Sequence, residues 1–502
     1  MRRLGLALLV LVADAIGAAG ASVEDLRRTC EEITNRDHAV LDGFAIGERK
    51  PALLHFVRRK CEGEELLWDL EKKVSPAALA ELRLIRRSLV ERQRVEAGIG
   101  IIGILGMGLS HDLSPFILRV KREPLRPLPL VESSPFWSEP KVAPEDAFAE
   151  QMKKLAVSPP GRWLRADKLE GKGSVPKLHA RDISGGARWL LKWGDEAHSD
   201  PVASRIFAGL GYNVDFPFSR SADGPRLILG RQGKKKRTVQ QLVNFIFNSY
   251  RVNLSPFIAE VREISSADIE SEPSLAPFLG ESYLSFRNFS LEARPALETR
   301  LGPFLLDEET ALQSLPVRAA LLAHLWVGNW DTKSDNSLLS VVTQGRTSAL
   351  RASFSDLGVS LGVELSKFPR DLKAGMVNAF SARLVDTDGD EVRFLARMNH
   401  HPPHWREPRW NELRWMAQRI SLFSQPAMEK ILGESGWPTE LQQNYLLLLG
   451  KRRRQLLEAF EVEDPHPWRL EGPPSELTRE YDLARYPQGL FHSKGRFRGY
   501  GW

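Results

Sequence analysis

Cysteine is almost missing from this chain. Its 502 residues hold two, Cys30 and Cys61, and no cysteine pair has zinc-site spacing, so a zinc-enzyme reading lacks support. An excess of one charge is missing as well. With 70 basic and 64 acidic residues the net charge is +6, too small to argue for nucleic acid as a partner. The Gly-rich apolar stretch 97–109 falls short of the roughly 20 residues that a bilayer crossing needs. No internal repeat is visible. What remains is ordinary for a globular protein: 42% hydrophobic and 27% charged residues, with enough length for about two or three domains and a large core.

Residues 1–21 have the form of an export signal. Arg2 and Arg3 give a positive start, 4–13 is an apolar core, and Ala19-Gly-Ala21 is a small-residue cleavage pattern before Ser22. Export to a periplasmic or secreted location would put Cys30 and Cys61 in an oxidising compartment, where an even pair implies one disulfide. Two basic runs, Lys234-Lys-Lys-Arg237 and Lys451-Arg-Arg-Arg454, read first as a solvated turn and a helix face and second as contacts with an anionic lipid (a peripheral membrane surface) or an acidic protein surface.

The pattern divides the chain. Residues 22–121 carry apolar residues at helical spacing and form a helical N-terminal region. Within it, Gly98-x-Gly100-x-x-Gly103 has the letters of a dinucleotide loop but follows a helical pattern, not a strand. Residues 122–160 hold many prolines and read as an extended linker. From 161 short strands and turns dominate, with a helix opened by Asp200-Pro201 and stopped at Gly211. An apolar helix over 311–326 follows, then a hairpin around Gly345 and mainly helices from 370 to 460. The tail 465–502 reads as irregular. The fold class expected is α+β: a β-rich lobe over 161–290, then a helical lobe over 291–464.

The chemistry-bearing stretch is His324-Leu-Trp-Val-Gly-Asn-Trp-Asp-Thr-Lys-Ser-Asp-Asn336, followed by Asp356-Leu-Gly358. Phosphoryl transfer needs a carboxylate to take the attacking hydroxyl's proton, and an amide with a second carboxylate to hold Mg²⁺ against the phosphates. Asp331 can supply the first, Asn336 and Asp356 the second. Upstream, the turn bearing Gly171, Gly173 and Ser174 lets backbone approach phosphate, and Lys192 on a strand supplies a point charge.

Asp331-Thr-Lys-Ser-Asp-Asn336 resembles the protein-kinase catalytic loop, and Asp356-Leu-Gly358 its metal-binding triplet. Gly328-Asn-Trp-Asp331 is closer to the loop of atypical kinases, the HipA-type serine kinases and type II phosphatidylinositol 4-kinases, with CotH-type and secretory-pathway kinases more distant. The resemblance spans about 161–460. It implies a two-lobed kinase-like fold, ATP and Mg²⁺, Asp331 as base, Lys333 near the transferred phosphate, Asn336 and Asp356 as metal ligands, and Lys192 on the phosphates with Glu196 or Asp200 as its acidic partner. The acceptor would be a hydroxyl on a protein, or on a lipid or small molecule. The alternatives are an exported pseudokinase that binds nucleotide or a partner, and a structural envelope protein. Asp386-Thr-Asp-Gly-Asp-Glu391 lacks the spacing of a calcium loop and reads as a hairpin turn, and His400, His401 and His404 read as a Pro-rich loop.

Overall fold

A computed structural model describes residues 116–469, apart from 129–133, 171–175, 195, 221–223, 233–234, 251–253, 305, 307–313, 334–335, 346, 364–379, 381, 397 and 399–401. The export signal, Cys30, Cys61, the Gly98 stretch, the helical patterns of 22–96 and the tail beyond 469 lie outside the described residues. So do Gly171, Gly173, Ser174, His400 and His401.

The fold is mixed α+β. In chain order come β1 (Phe116–Lys121), α1 (Ala147–Lys154), β2 (Trp163–Glu170), β3 (Lys177–Asp182), β4 (Arg188–Trp193), α2 (Glu196–Leu210), β5 (Phe216–Arg220) and β6 (Arg226–Ile228). Next are the short β7 (Arg231–Gln232) and β8 (Lys235–Lys236), α3 (Val239–Tyr250), β9 (Ile258–Glu263), α4 (Ser266–Ser271), β10 (Ser282–Phe286), β11 (Phe289–Arg294) and β12 (Glu298–Pro303). Then follow α5 (Leu315–Val327), β13 (Ser337–Gln344), β14 (Thr347–Phe354), β15 (Val385–Asp388) and β16 (Glu391–Ala396). The last helices are α6 (Pro403–Arg406), α7 (Trp410–Ser421), α8 (Gln425–Gly433) and α9 (Thr439–Ala459).

Backbone contacts divide the chain into two units. One holds Thr299–Ser314 and Lys333–Ala352 among the described residues, and contains most of the three-stranded sheet β12-β13-β14. The other holds Ser114–Glu298, Leu315–Thr332 and the chain from Ser353 onward. Its main sheet has eight strands in the order β5-β11-β4-β3-β2-β6-β10-β9. The β2–β6 pair is parallel and the β3–β4 and β4–β11 pairs are antiparallel. Strand β4, Arg-Trp-Leu-Leu-Lys-Trp, is buried along nearly its whole length, as a central strand must be. Helix α2 is buried on every side, and its mean character is apolar enough to bear that apart from its acidic start.

Phe354 is the aromatic hub of this second unit. Its ring lies 5.1 Å from Phe136, 5.5 Å from Phe207, 5.2 Å from Tyr212 and 5.0 Å from His324, between centroids. Its backbone is held by Asn213 and Asp215 through an isolated parallel bridge at Val214. Those contacts fix the chain two residues before Asp356.

The structure departs from the sequence reading in several places. The segment closing the expected helical region, Phe116–Lys121, is a strand paired with β16. The expected linker 122–160 is packed in its described part from Ser134 onward, which holds α1 and buries Phe136, Trp137 and Phe148. Apolar side chains among the prolines outweighed the extended tendency of the prolines themselves. Helix α2 begins at Glu196, not at Asp200, and Pro201 lies inside it, where the missing N–H costs one bond near the helix start. A lobe boundary at 290/291 would cut β11, which belongs to the eight-stranded sheet. Half of the run 451–454 is not a solvated face either, whereas Arg454 is exposed. Arg453 ion-pairs with Asp464, and Arg452 bonds the Leu325 carbonyl, so both are buried. The tail begins packed as well, since the Trp468 indole donates to the Phe423 carbonyl at 2.8 Å. Asp388-Gly-Asp390 does form the turn of the β15–β16 hairpin, with Gly389 at φ +62°.

Trp137 tests the packed state of 122–160. Its ring lies 4.9 Å from Trp415 and 5.3 Å from Tyr212, and a Cβ at Gly211 would meet it at 2.5 Å. Trp137→Ala is expected to lower unfolding stability by about 3–5 kcal/mol, read by chemical denaturation. A loss within about 0.5 kcal/mol would mean that the segment is only a tether.

Candidate functional site

Lys192 gathers the site. It sits on β4 at 2% exposure, where an ammonium needs compensating charge. Its Nζ lies 2.7 Å from Asp356 Oδ1, 2.9 Å from Glu292 Oε2 and 3.3 Å from Asp200 Oδ2. The three carboxylates come from the turn after β14, from β11 and from α2. Glu292 is reached because Ser290, two residues earlier on β11, stands directly opposite Lys192 in the ladder, so both side chains share Lys192's face. Glu292 continues the network, with Oε1 2.5 Å from the Arg294 guanidinium.

Burial would strip the Lys192 proton, but Asp356, Glu292 and Asp200 hold its pKa well above the usual lysine range. The lysine is therefore a fixed positive charge and not a base. Burial works to raise Asp356, yet Lys192 and then Lys177 hold it down at about 2. Glu196, at the start of α2, is pushed up to about 8 by burial and by the Asp356 charge. Asp200 is raised to about 6 by burial, against the pull of Lys192. Further in, burial and the neighbouring Glu292 push the Asp215 carboxyl well above the usual carboxylate range, while Arg294 and Lys192 overcome burial and hold Glu292 below it. Asp356 is the member that water reaches: its side chain is 31% exposed, against 3% for those of Lys192 and Asp200.

Asp356 and Gly358 each have a local reason for their places. Asp356 has φ +54°, a left-handed conformation that Asp accepts better than most residues. Gly358 leaves no room for a side chain, because a Cβ there would lie 2.4 Å from Glu196 Cβ. The Ser199 hydroxyl also donates to the Gly358 carbonyl. Helix α2 and the 356–358 turn are thus in direct contact.

The Asp331 loop is tied to the segment that follows this turn. Leu361 N–H donates to the Val327 carbonyl at 2.8 Å, and the Trp330 indole donates to the Val363 carbonyl at 2.9 Å. Asp331 itself is 5% exposed and within electrostatic reach of Glu196. Its N–H donates to Asn329 Oδ1 at 3.1 Å, and Asn329 Nδ2 lies 3.0 Å from His324 Nδ1. Burial depresses the His324 pKa to about 3, so the ring is neutral and Nδ1 accepts from the Asn329 amide. The imidazole thereby fixes which way Asn329 points, and Asn329 fixes the Asp331 backbone.

Lys192, Glu196, Asp200 and Asp356 of the sequence-derived set thus come together, with the Asp331 loop laced to the segment just after the Asp356 turn. Both acidic partners weighed for Lys192 lie beside it, and Asp200 makes the bond. Asn336 and Lys333 belong to the other unit, where Asn336 is buried and its N–H donates to the Lys333 carbonyl at 2.9 Å. Sequence reasoning missed Glu292, Arg294, Asp215 and Lys177. The available signal was Glu292-x-Arg294 inside an apolar strand, a carboxylate and guanidinium on one face. It also passed over Gly358-Val-Ser-Leu-Gly362, the letters of a hydrolase nucleophile turn. Ser360 is fully buried and donates to the Leu357 carbonyl at 2.6 Å, so it is not presented as a nucleophile. Among the described residues no group of three or more His, Cys, Asp or Glu is placed to hold a metal ion, and no helix is long and apolar enough to cross a membrane.

No family model, curated protein or solved structure matches the chain.

Glu196 gives the site a pH signature. The folded state binds its proton up to about pH 8, against 4.5 for the unfolded chain. The stability it contributes is complete below about 4.5 and is lost as pH rises to about 8. Glu196→Gln removes the ionisation and is expected to gain on the wild type across that window, by roughly 1.4 kcal/mol per pH unit at most. Denaturation curves at a series of pH values read the difference, and a pH-independent offset would contradict the assignment.

Proposed function

We propose that this protein is an exported kinase-like phosphotransferase that moves the ATP γ-phosphate to a hydroxyl acceptor, on a protein in the first instance. The observation that carries the reading is the bond between Lys192 and Asp356, residues 164 positions apart, at 2.7 Å. A strand lysine beside the acid of an Asp-Leu-Gly triplet, with the Asp331 loop tied to the segment 361–363 just after that triplet, is the arrangement that phosphoryl transfer calls for. The two-lobed kinase fold belongs to this proposal, as does export through residues 1–21.

In this reading Asp331 takes the proton of the attacking hydroxyl. The His324–Asn329 pair holds its loop in register, and neutral His324 leaves Asp331 as the proton acceptor there. Lys192 contributes a permanent positive charge and keeps Asp356 ionised at any pH a cell meets. Mg²⁺ is normally held by one or two carboxylates together with substrate phosphates, so a full protein cage is not needed. The donor set fits such an ion. Asp356 is ionised and reached by water, and the protonated Glu196 behind it marks an excess of acid over base that a cation relieves. When bound, the ion supplies charge neutralisation on the phosphates. The metal role of Asn336 and the phosphate role of Lys333 rest on the sequence pattern alone.

Asp331→Ala is expected to reduce phosphate transfer about 10²–10⁴-fold while leaving nucleotide binding in place. Asp356→Ala is expected to remove the Mg²⁺ dependence of nucleotide binding. Both are read by labelled-phosphate transfer and by titration with ATP in the presence and absence of Mg²⁺. Nucleotide binding without any transfer in the wild type would favour a pseudokinase. The absence of both would leave a structural protein.

A further inference from the structure

Lys192 is a poor first contact for an incoming anion. It is 2% exposed and already faces three carboxylates. A phosphate could approach it only by displacing one of them. The chain places a second lysine beside it. Lys177 opens β3 and stands directly opposite Lys192 on β4. Directly opposed residues share a face of the sheet, so the two ammonium groups rise from the same side. Like charges in that position repel, which makes the pair costly unless something negative sits across it.

Lys177 differs from its neighbour in the two respects that matter. It is half-buried and open to solvent, and among the described residues its ammonium makes no hydrogen bond or ion pair. It also lies within electrostatic reach of Asp356, the exposed member of the cluster. The result is an uncommitted cation at the solvent side of the site and a saturated one behind it.

We propose that Lys177, and not Lys192, is the cation that first receives the phosphate chain of a nucleoside triphosphate, with Lys192 serving to position Asp356. This rests on the phosphotransferase reading, and it reverses the roles that the sequence pattern gives to the strand lysine. A lysine ammonium binds phosphate as a point charge through charge-assisted hydrogen bonds, so its contribution appears in affinity for the phosphates and not for the nucleoside.

The test compares full-length wild type, Lys177→Met and Lys177→Arg by titration with ATP, inorganic tripolyphosphate and adenosine, each with Mg²⁺. Lys177→Met is expected to weaken ATP and tripolyphosphate about tenfold or more, a step of about 1.4 kcal/mol, and to leave adenosine unchanged. Lys177→Arg, which keeps the charge, is expected to restore most of the loss. An unchanged thermal midpoint in Lys177→Met establishes that the fold is intact. Wild type binding ATP with Lys177→Met binding equally well overturns this inference and leaves the phosphotransferase reading standing. Equal losses for ATP and adenosine also overturn it, because they mark a structural role. Wild type binding neither ATP nor tripolyphosphate overturns both.

Discussion

A buried ammonium cannot be left without counter-charge, and the second unit is arranged around meeting that demand at Lys192. One lysine on a central strand draws in Asp200 from α2, Glu292 from β11 and Asp356 from the turn after β14. Strand β11 and helix α2 are therefore joined to the 356 turn by charge as well as by packing. The carboxylates outnumber the cations, and that excess shows in the raised pKa values of Asp215 and Glu196. The same excess gives an approaching cation a reason to bind there.

Packing does for the loops what charge does for the strands. Phe354 is wedged among Phe136, Phe207, Tyr212 and His324, so the chain reaches Asp356 from a fixed point. His324 then does two things at once. Its ring completes the aromatic cluster, and its Nδ1 orients Asn329 below Asp331. Core and candidate site are one structure here, and a change at His324 would be felt in both.

How much of this was legible in the sequence follows from what kind of signal each element leaves. The hairpin around Gly345 and the stop at Gly211 are local, and local turn chemistry showed them. Lys192 and Asp356 could be assigned to one site only through the kinase-like resemblance, which gives Lys192 Glu196 or Asp200 as its acidic partner; the direct Lys192–Asp356 pair appears only in the structure. Glu292 could not be paired with Lys192 from sequence, since its role depends on which strand lies beside β4, and that is a matter of sheet order. Lys177 was hidden for the same reason: only the β3–β4 register puts it opposite Lys192. The 122–160 segment misled because prolines signal extended chain, whereas Phe136, Trp137 and Phe148 decide where it packs. The basic run 451–454 misled similarly, because the Leu325 carbonyl that takes in Arg452 and the Ile420 and Ser421 carbonyls that take in Arg453 are distant in sequence.

The central claim is that the Lys192–Asp356 cluster is where a nucleotide's phosphates are handled. A crystal structure of the full chain with Mg²⁺ and a non-hydrolysable ATP analogue tests it most directly. The account predicts the phosphate chain against Lys177 and the metal on Asp356, with Lys192 still paired to Glu292. A nucleotide seated elsewhere, or Asp356 still capped by Lys192 alone with no phosphate or metal beside it, would contradict it.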